Sequence, residues 1–125
     1  MAGEYVPLVM IPRFTSYIGA AEYVTVALDV SAFYKFDIAF WCGPLVGDDG
    51  TGASLSATFE TSDDNDTWTE VPEIPAITTP NGHTIGNGLL RQRWLRVKIV
   101  LTEDADHVVA ITCWAAGQLE RRQSA

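Results

Sequence analysis

Apolar and polar residues alternate along most of this chain with a period of two, the mark of strands buried on one side. From Tyr23 to Val30, the residues Val24, Val26, Leu28 and Val30 share a face, with Thr25 and Asp29 on the other. From Tyr34 to Cys42, the residues Tyr34, Phe36, Ile38, Phe40 and Cys42 lie opposite Lys35 and Asp37. From Ala53 to Thr61, Leu55, Ala57 and Phe59 point inward against Ser54, Ser56, Thr58 and Glu60. Trp94 to Leu101 sets Leu95, Val97, Ile99 and Leu101 against Arg96 and Lys98. His107 to Ala116 is almost wholly apolar, which predicts a strand covered on both faces.

Turn chemistry separates these runs. Ser31-Ala32-Phe33 is a short connection, and the glycines and aspartates between Gly43 and Gly52 read as a loop. Ser62-Asp63-Asp64-Asn65-Asp66 is a turn cluster, because short Asx side chains bond their own backbone; Thr67 to Val71 then resumes as a strand, giving a hairpin. Pro72 to Asn87 is rich in Pro and Gly and reads as a loop, with room for one short strand near Ile74 to Thr78. Glu103 to Asp106 turns the chain into its last strand. No segment carries capped helical periodicity. Residues 1–20 lack clean periodicity, and Pro7 and Pro12 cannot donate to a central ladder. That segment reads as an extended arm or an edge strand, tucked on its own sheet or laid on a neighbouring subunit. The prediction is an all-β, antiparallel β-sandwich of jelly-roll-like or Greek-key type with seven or eight strands. It comprises an N-terminal arm over 1–20, a sandwich over 21–119 and a polar tail over 120–125.

A length of 125 residues is one domain, and 47% hydrophobic with 19% charged residues is a globular composition. The net charge of −8 argues against binding nucleic acid through phosphates. Its distribution adds more. Between Phe36 and Leu90 there is no Lys or Arg but there are nine carboxylates, whereas Arg91, Arg93, Arg96 and Lys98 crowd into one later segment. Such polarity suits docking against a partner of patterned charge; equally, it is a solvated acidic face. Cys42 and Cys113 are too few for a disulfide scaffold and read as buried thiols, with a cross-strand disulfide the alternative. Glu4, Pro7 and Pro12 do not fit a signal peptide, and no apolar run is long enough for a membrane helix, so the expectation is a chain used without export and without a membrane partner.

Recognisable catalytic machinery is missing. His83 and His107 have no second His or Cys at zinc-ligand spacing. No G-x-S-x-G nucleophile motif occurs. The Asp63 to Asp66 cluster lacks the glycine of a calcium loop, and Ile74 stands where such a loop needs Glu. The expectation is a non-enzyme without cofactor or metal. Four tryptophans remain: Trp41, Trp68, Trp94 and Trp114. Trp41 and Trp94 fall opposite the main apolar stripes of their strands, where each is either an interface anchor, a carbohydrate platform, or packing under a loop. A standard immunoglobulin domain is excluded, since Trp41 directly precedes Cys42 and Ile111 stands where a tyrosine corner would be.

The strand–acidic turn–strand element from Ala57 to Val71 is followed by Arg93 to Ile99 and then His107 to Trp114, with Gly117 and Arg121-Arg122 at the close. Over residues 53–122 this order resembles the small β-sandwich structural proteins of tailed bacteriophages, the capsid decoration or cement proteins above all. The Ser-Asp-Asp…Trp turn is shared with discoidin-like carbohydrate-binding domains. The phage resemblance implies a non-enzymatic virion protein, made in the host cytoplasm and placed on the capsid surface. It implies binding to the major capsid protein as a homotrimer, with a terminal arm extended over the shell. The residues expected to meet the partner are Tyr5, Val6, Leu8, Met10 and Ile11 of the arm, with Trp41, Trp94, Arg91 and Arg93. The alternatives are a carbohydrate-binding or host-adhesion module using Trp41 or Trp94 and the 72–87 loop, and a head–tail joining or tail component.

Overall fold

Each alternating run finds its partner far along the chain, so the architecture is one of long-range pairing. The computed structural model describes residues 4–47, 52–103 and 108–122. The strands are β1 (Tyr5–Ile18), β2 (Ala21–Val24), β3 (Leu28–Asp29), β4 (Phe33–Cys42), β5 (Ser54–Ser62), β6 (Thr69–Glu70), β7 (Gly82–Leu89), β8 (Trp94–Thr102) and β9 (Ala110–Arg121). All pairings are antiparallel, and one set of them nests. β5 adjoins β6 at the tip, β4 pairs with β7, β2 and β3 both pair with β8, and β1 pairs with β9. Alternate pairs go to opposite layers. Sheet I has the order β1-β9-β4-β7; sheet II has the order β2-β8-β5-β6, with β3 also on β8. With β2 and β3 taken as one broken strand, this is an eight-stranded jelly roll.

The core lies where the inward faces of β4 and β9 meet those of β5 and β8. Phe36 and Phe40 of sheet I pack on Phe59 of sheet II, with ring centroids 6.0 and 6.3 Å apart. Leu95, Val97, Ile99 and Leu101 bury the stripe expected for β8, and Ile111, Cys113 and Ala115 do the same for β9. Cys42 and Cys113 sit directly opposite each other in the β4–β9 register as buried free thiols. Burial, with the neighbouring Cys42 adding to it, pushes the Cys113 thiol up to about 12.

The structure departs from the sequence reading in four places. Residues 5–18 are not set apart from the sandwich: of the alternatives open for that segment they take the edge strand tucked on its own sheet, β1, paired along β9 from Tyr5 opposite Glu120 to Ile18 opposite Ala110. Leu8, Met10 and Ile11 are therefore core residues. Val24 and Val26 face out, because Tyr23 opposite Ile99 and Leu28 opposite Leu95 both face in, so the alternation slips between them. The supposed 72–87 loop contains most of β7. The inward positions of β7 include Gly86 and Gly88, where a Cβ would come within 3.1 Å of Ile74 and 2.7 Å of Phe36, so the strand has no apolar stripe to read. Finally, β9 runs on to Arg121, with Leu119 and Glu120 buried. His107 and the turn over 104–106 lie outside the described residues, as does the 48–51 part of the loop between Gly43 and Gly52.

Phe59 bridges both aromatic contacts between the layers. Phe59→Ala is expected to cost about 3–5 kcal/mol in urea unfolding, through lost transfer energy and the cavity left behind.

Candidate functional site

The two sheets present outer faces of different chemistry. On sheet II, the basic segment of β8 is neutralised by carboxylates of the same molecule. Arg96 Nε meets the buried Glu60 at 2.9 Å, and Lys98 Nζ meets Glu60 at 3.4 Å and Glu22 at 3.8 Å. The Arg96 guanidinium also lies 4.0 Å over the Trp68 ring. Arg91 makes a two-pronged contact with Glu73 at 2.8 and 3.1 Å, which lowers the carboxylate's pKa, and the second carboxylate oxygen contact is joined by the Leu89 N–H on Glu73 Oε1. Arg93 contacts Asp29 at 3.1 and 3.2 Å and stacks 4.9 Å over Trp94. The basic segment is thus paired within the molecule, by Glu60 and Glu73 of the acidic stretch and by Asp29 and Glu22 from outside it. Arg91, Arg93 and Trp94 belong to this internally paired surface.

The turn before β6 is similarly closed on itself. Asp64 accepts the Asp66 and Thr67 N–H groups and the Ser62 hydroxyl, and Asn65 takes a φ of 60°. Those bonds, the Thr67 N–H first, hold the Asp64 carboxyl down at about 2. Among the described residues no group of three His, Cys, Asp or Glu side chains is arranged to hold a metal ion.

Sheet I carries the other face. Across β9, β4 and β7 its outward side chains stand in rows: Trp114, Trp41 and His83; Ala116, Ala39 and Ile85; Gln118, Asp37 and Asn87; Glu120, Lys35 and Leu89. β1 adds Val9, Pro7 and Tyr5 beside the last three rows. Near the first row β1 breaks register between Ile11 and Thr15. Phe14 there has a φ of 60°, a bulged conformation that is costly for a bulky residue and that aims its ring at the edge of Trp41, 6.2 Å away. Arg13 lies 5.1 Å over Trp114, and His83 meets the same ring edge-on. The middle rows form a shallow groove of about 300 Å³. Its floor is low because Ala39 and Ala116 are small and because Gly117 is forced: a Cβ there would fall 1.9 Å from the Asp37 carbonyl oxygen. Gln118 donates to Asp37 at 3.1 Å along one wall, and Ile85 forms part of the other.

Exposed apolar side chains concentrate on this face. Tyr5, Val9, Phe14, Ile18, Ile85 and Leu89 all belong to β1 or β7, and Ile85 is 84% exposed. Of the residues expected to meet a partner, the structure brings Tyr5 and Trp41 to this surface, half-buries Val6, and places Leu8, Met10 and Ile11 inside. Trp41 and Trp94 stand on opposite sheets and share no surface. The sequence reading missed Trp114, Phe14, Ile85 and the Asp37–Gln118 pair. The signal for Trp114 was its place in a run that looked buried on both faces.

No protein-family model matches the chain, and no curated protein matches it. Solved structures do share its fold. The SPBc2 prophage-derived protein YomS aligns over 92% of this chain and 96% of its own, with a TM-score of 0.53 and 10% identity. A VP2 subviral particle of infectious bursal disease virus aligns over 94% of this chain and 32% of its own, with a TM-score of 0.54 and 11% identity. The CBM22-1 xylan-binding domain of Paenibacillus barcinonensis Xyn10C aligns over 98% of both chains, with a TM-score of 0.51 and 15% identity. At these identities the likeness is one of fold alone, a small β-sandwich shared by a prophage-derived protein, a viral VP2 and a xylan-binding domain.

Two stability tests separate the ion pairs and the turn. Glu60→Ala leaves Arg96 and Lys98 without their buried partner and is expected to cost about 3 kcal/mol, whereas Arg93→Ala on an exposed pair should cost under about 1 kcal/mol, both by urea titration. Because the folded Asp64 pKa is depressed, its contribution is present above the ordinary aspartate range and is lost as pH falls toward about 2. Asp64→Asn should therefore flatten the acid limb of a stability–pH profile between those values and leave its shape above the range unchanged.

Proposed function

We propose that this chain is a non-enzymatic structural protein of a virion, a decoration or cement protein held on the capsid surface by the major capsid protein. One observation carries the reading: the two outer faces are unequal. Sheet II spends its charges on itself, while sheet I exposes a broad apolar band on long, well-paired strands. Contiguous exposed apolar surface marks an interaction face. The shared fold with a prophage-derived protein and with VP2 of a viral subviral particle supports the same reading. Docking then rests on shape and apolar contact from sheet I, with β1 lying flat within the face.

A glycan-binding reading has its own support. The sheet I groove holds planar polar groups, Asp37 and Gln118, and a row of rings, Trp41, Trp114 and His83, stands on the far side of its Ala39 and Ala116 floor. The fold is also that of a domain described as xylan-binding. A glycan-array signal abolished by Trp41→Ala would favour this second function.

The leading reading is tested by co-sedimentation with expanded capsids of the virus that encodes the chain. The wild type is expected to bind and to raise the shell's resistance to heat. Val9→Asp, at a position 60% exposed, should keep its circular dichroism and melting temperature while losing about tenfold or more in affinity. A wild type that leaves the shell untouched contradicts the proposal.

A further inference from the structure

The edges of the two sheets are guarded unequally. β2, β3 and β6 are two to four residues long, too short to template another strand. β1 is long but carries Pro7, Pro12, Arg13 and two register shifts. β7 has none of these devices. It pairs with β4 from Leu89 opposite Lys35 to Gly82 opposite Cys42 without a register shift, and contains neither proline nor charge. In fact the chain has no Asp, Glu, Lys or Arg from Ile74 to Leu90, within a molecule of net charge −8.

The pairing parity fixes which groups β7 leaves open. Leu90 N–H bonds the Tyr34 carbonyl, so Gly88, Gly86 and Thr84 bond β4 while Leu89, Asn87, Ile85 and His83 turn their N–H and C=O groups outward. Glu73 caps the Leu89 N–H at one end. Among the described residues, no hydrogen bond fills the outward groups of His83, Ile85 and Asn87.

We infer that β7 is a self-pairing strand, and that a second copy of this chain joins it antiparallel about a two-fold axis at Ile85. The sequence is self-complementary in that register. Ile85 meets Ile85 of the second copy, and His83 meets Asn87 on either side, so all three residues exchange both backbone bonds. On the inward side the facing pairs are Gly82 with Gly88 and Thr84 with Gly86, small enough for two sandwiches to abut over the segment that begins at Pro72. The missing charge decides the occupant. Two copies of a chain of net charge −8 repel on the whole, and the uncharged edge β7 is a seam along which they meet without opposing charges. The joined sheet is eight strands wide and carries two copies of the exposed band of sheet I on one side. This assembly is two-fold and so differs from the three-fold one that the phage resemblance implies.

Sedimentation equilibrium of the purified full chain, without capsid, tests it, so its failure is distinct from a failure of capsid docking. The wild type is expected to reach twice the monomer mass as concentration rises. Ile85→Pro removes an outward N–H without touching the β4 ladder, and Asn87→Lys places a charge on the seam; each should yield a monomer with an unchanged β-sheet spectrum. Should Ile85→Pro fail to fold, Asn87→Lys still decides. Hydrogen exchange gives a direct readout: the amides of His83, Ile85 and Asn87 should exchange about tenfold more slowly at dimer-forming concentration than at high dilution. A wild type that stays monomeric to millimolar concentration, a trimer, or a dimer untouched by Asn87→Lys overturns the inference.

Discussion

Phe59 touches Phe36 and Phe40 across the gap between the sheets, and that aromatic contact is the one on which the other layers of the structure depend. Nested pairing brings β4 and β5 to opposite sheets, and only inward-facing apolar side chains can hold the sheets together. Once these faces are committed to the core, the alternation dictates what each outer face can be. On sheet I the outward partners of β4 are Lys35, Asp37, Ala39 and Trp41; on sheet II those of β8 are Trp94, Arg96, Lys98 and Val100.

From there the two outer faces diverge for electrostatic reasons. Glu60 is buried on sheet II and would be costly alone, so Arg96 and Lys98 converge on it and Trp68 covers Arg96. The exposed pairs Arg91–Glu73 and Arg93–Asp29 add orientation more than stability. The basic cluster of the sequence is thus paired within the fold, while the acidic excess stays on the molecule. Sheet I sets small, aromatic and apolar residues beside the polar rows of Asp37 and Lys35, and the proposed docking rests on that apolar exposure.

The parts of the fold that were legible in the sequence are those where packing follows the period of two. β4, β5 and β8 have unbroken apolar stripes, and the Asp64 turn announces itself by composition. β7 was hidden because its inward positions are Thr84 and three glycines, Ile74 and Phe36 having taken the room a side chain would need at Gly86 and Gly88. β1 was half legible: its prolines correctly marked an edge, but the register shift between Val9 and Ile11 breaks the alternation that would have shown Leu8 and Ile11 as core. The candidate face was the least legible part. Trp41 could be read as outward, whereas Trp114, Ile85 and Val9 join it only through pairings between strands distant in sequence, and the basic cluster's partners Asp29, Glu60 and Glu73 are equally remote.

The central claim is that sheet I, and not sheet II, is the face held against another surface. Hydroxyl-radical footprinting of the protein in place on the virion, against the free protein, tests it most directly. Tyr5, Phe14 and Trp114 are expected to lose reactivity on the particle, with Trp68, Trp94 and Val26 on the other side keeping theirs. Protection of the sheet II residues with sheet I left reactive would contradict the account.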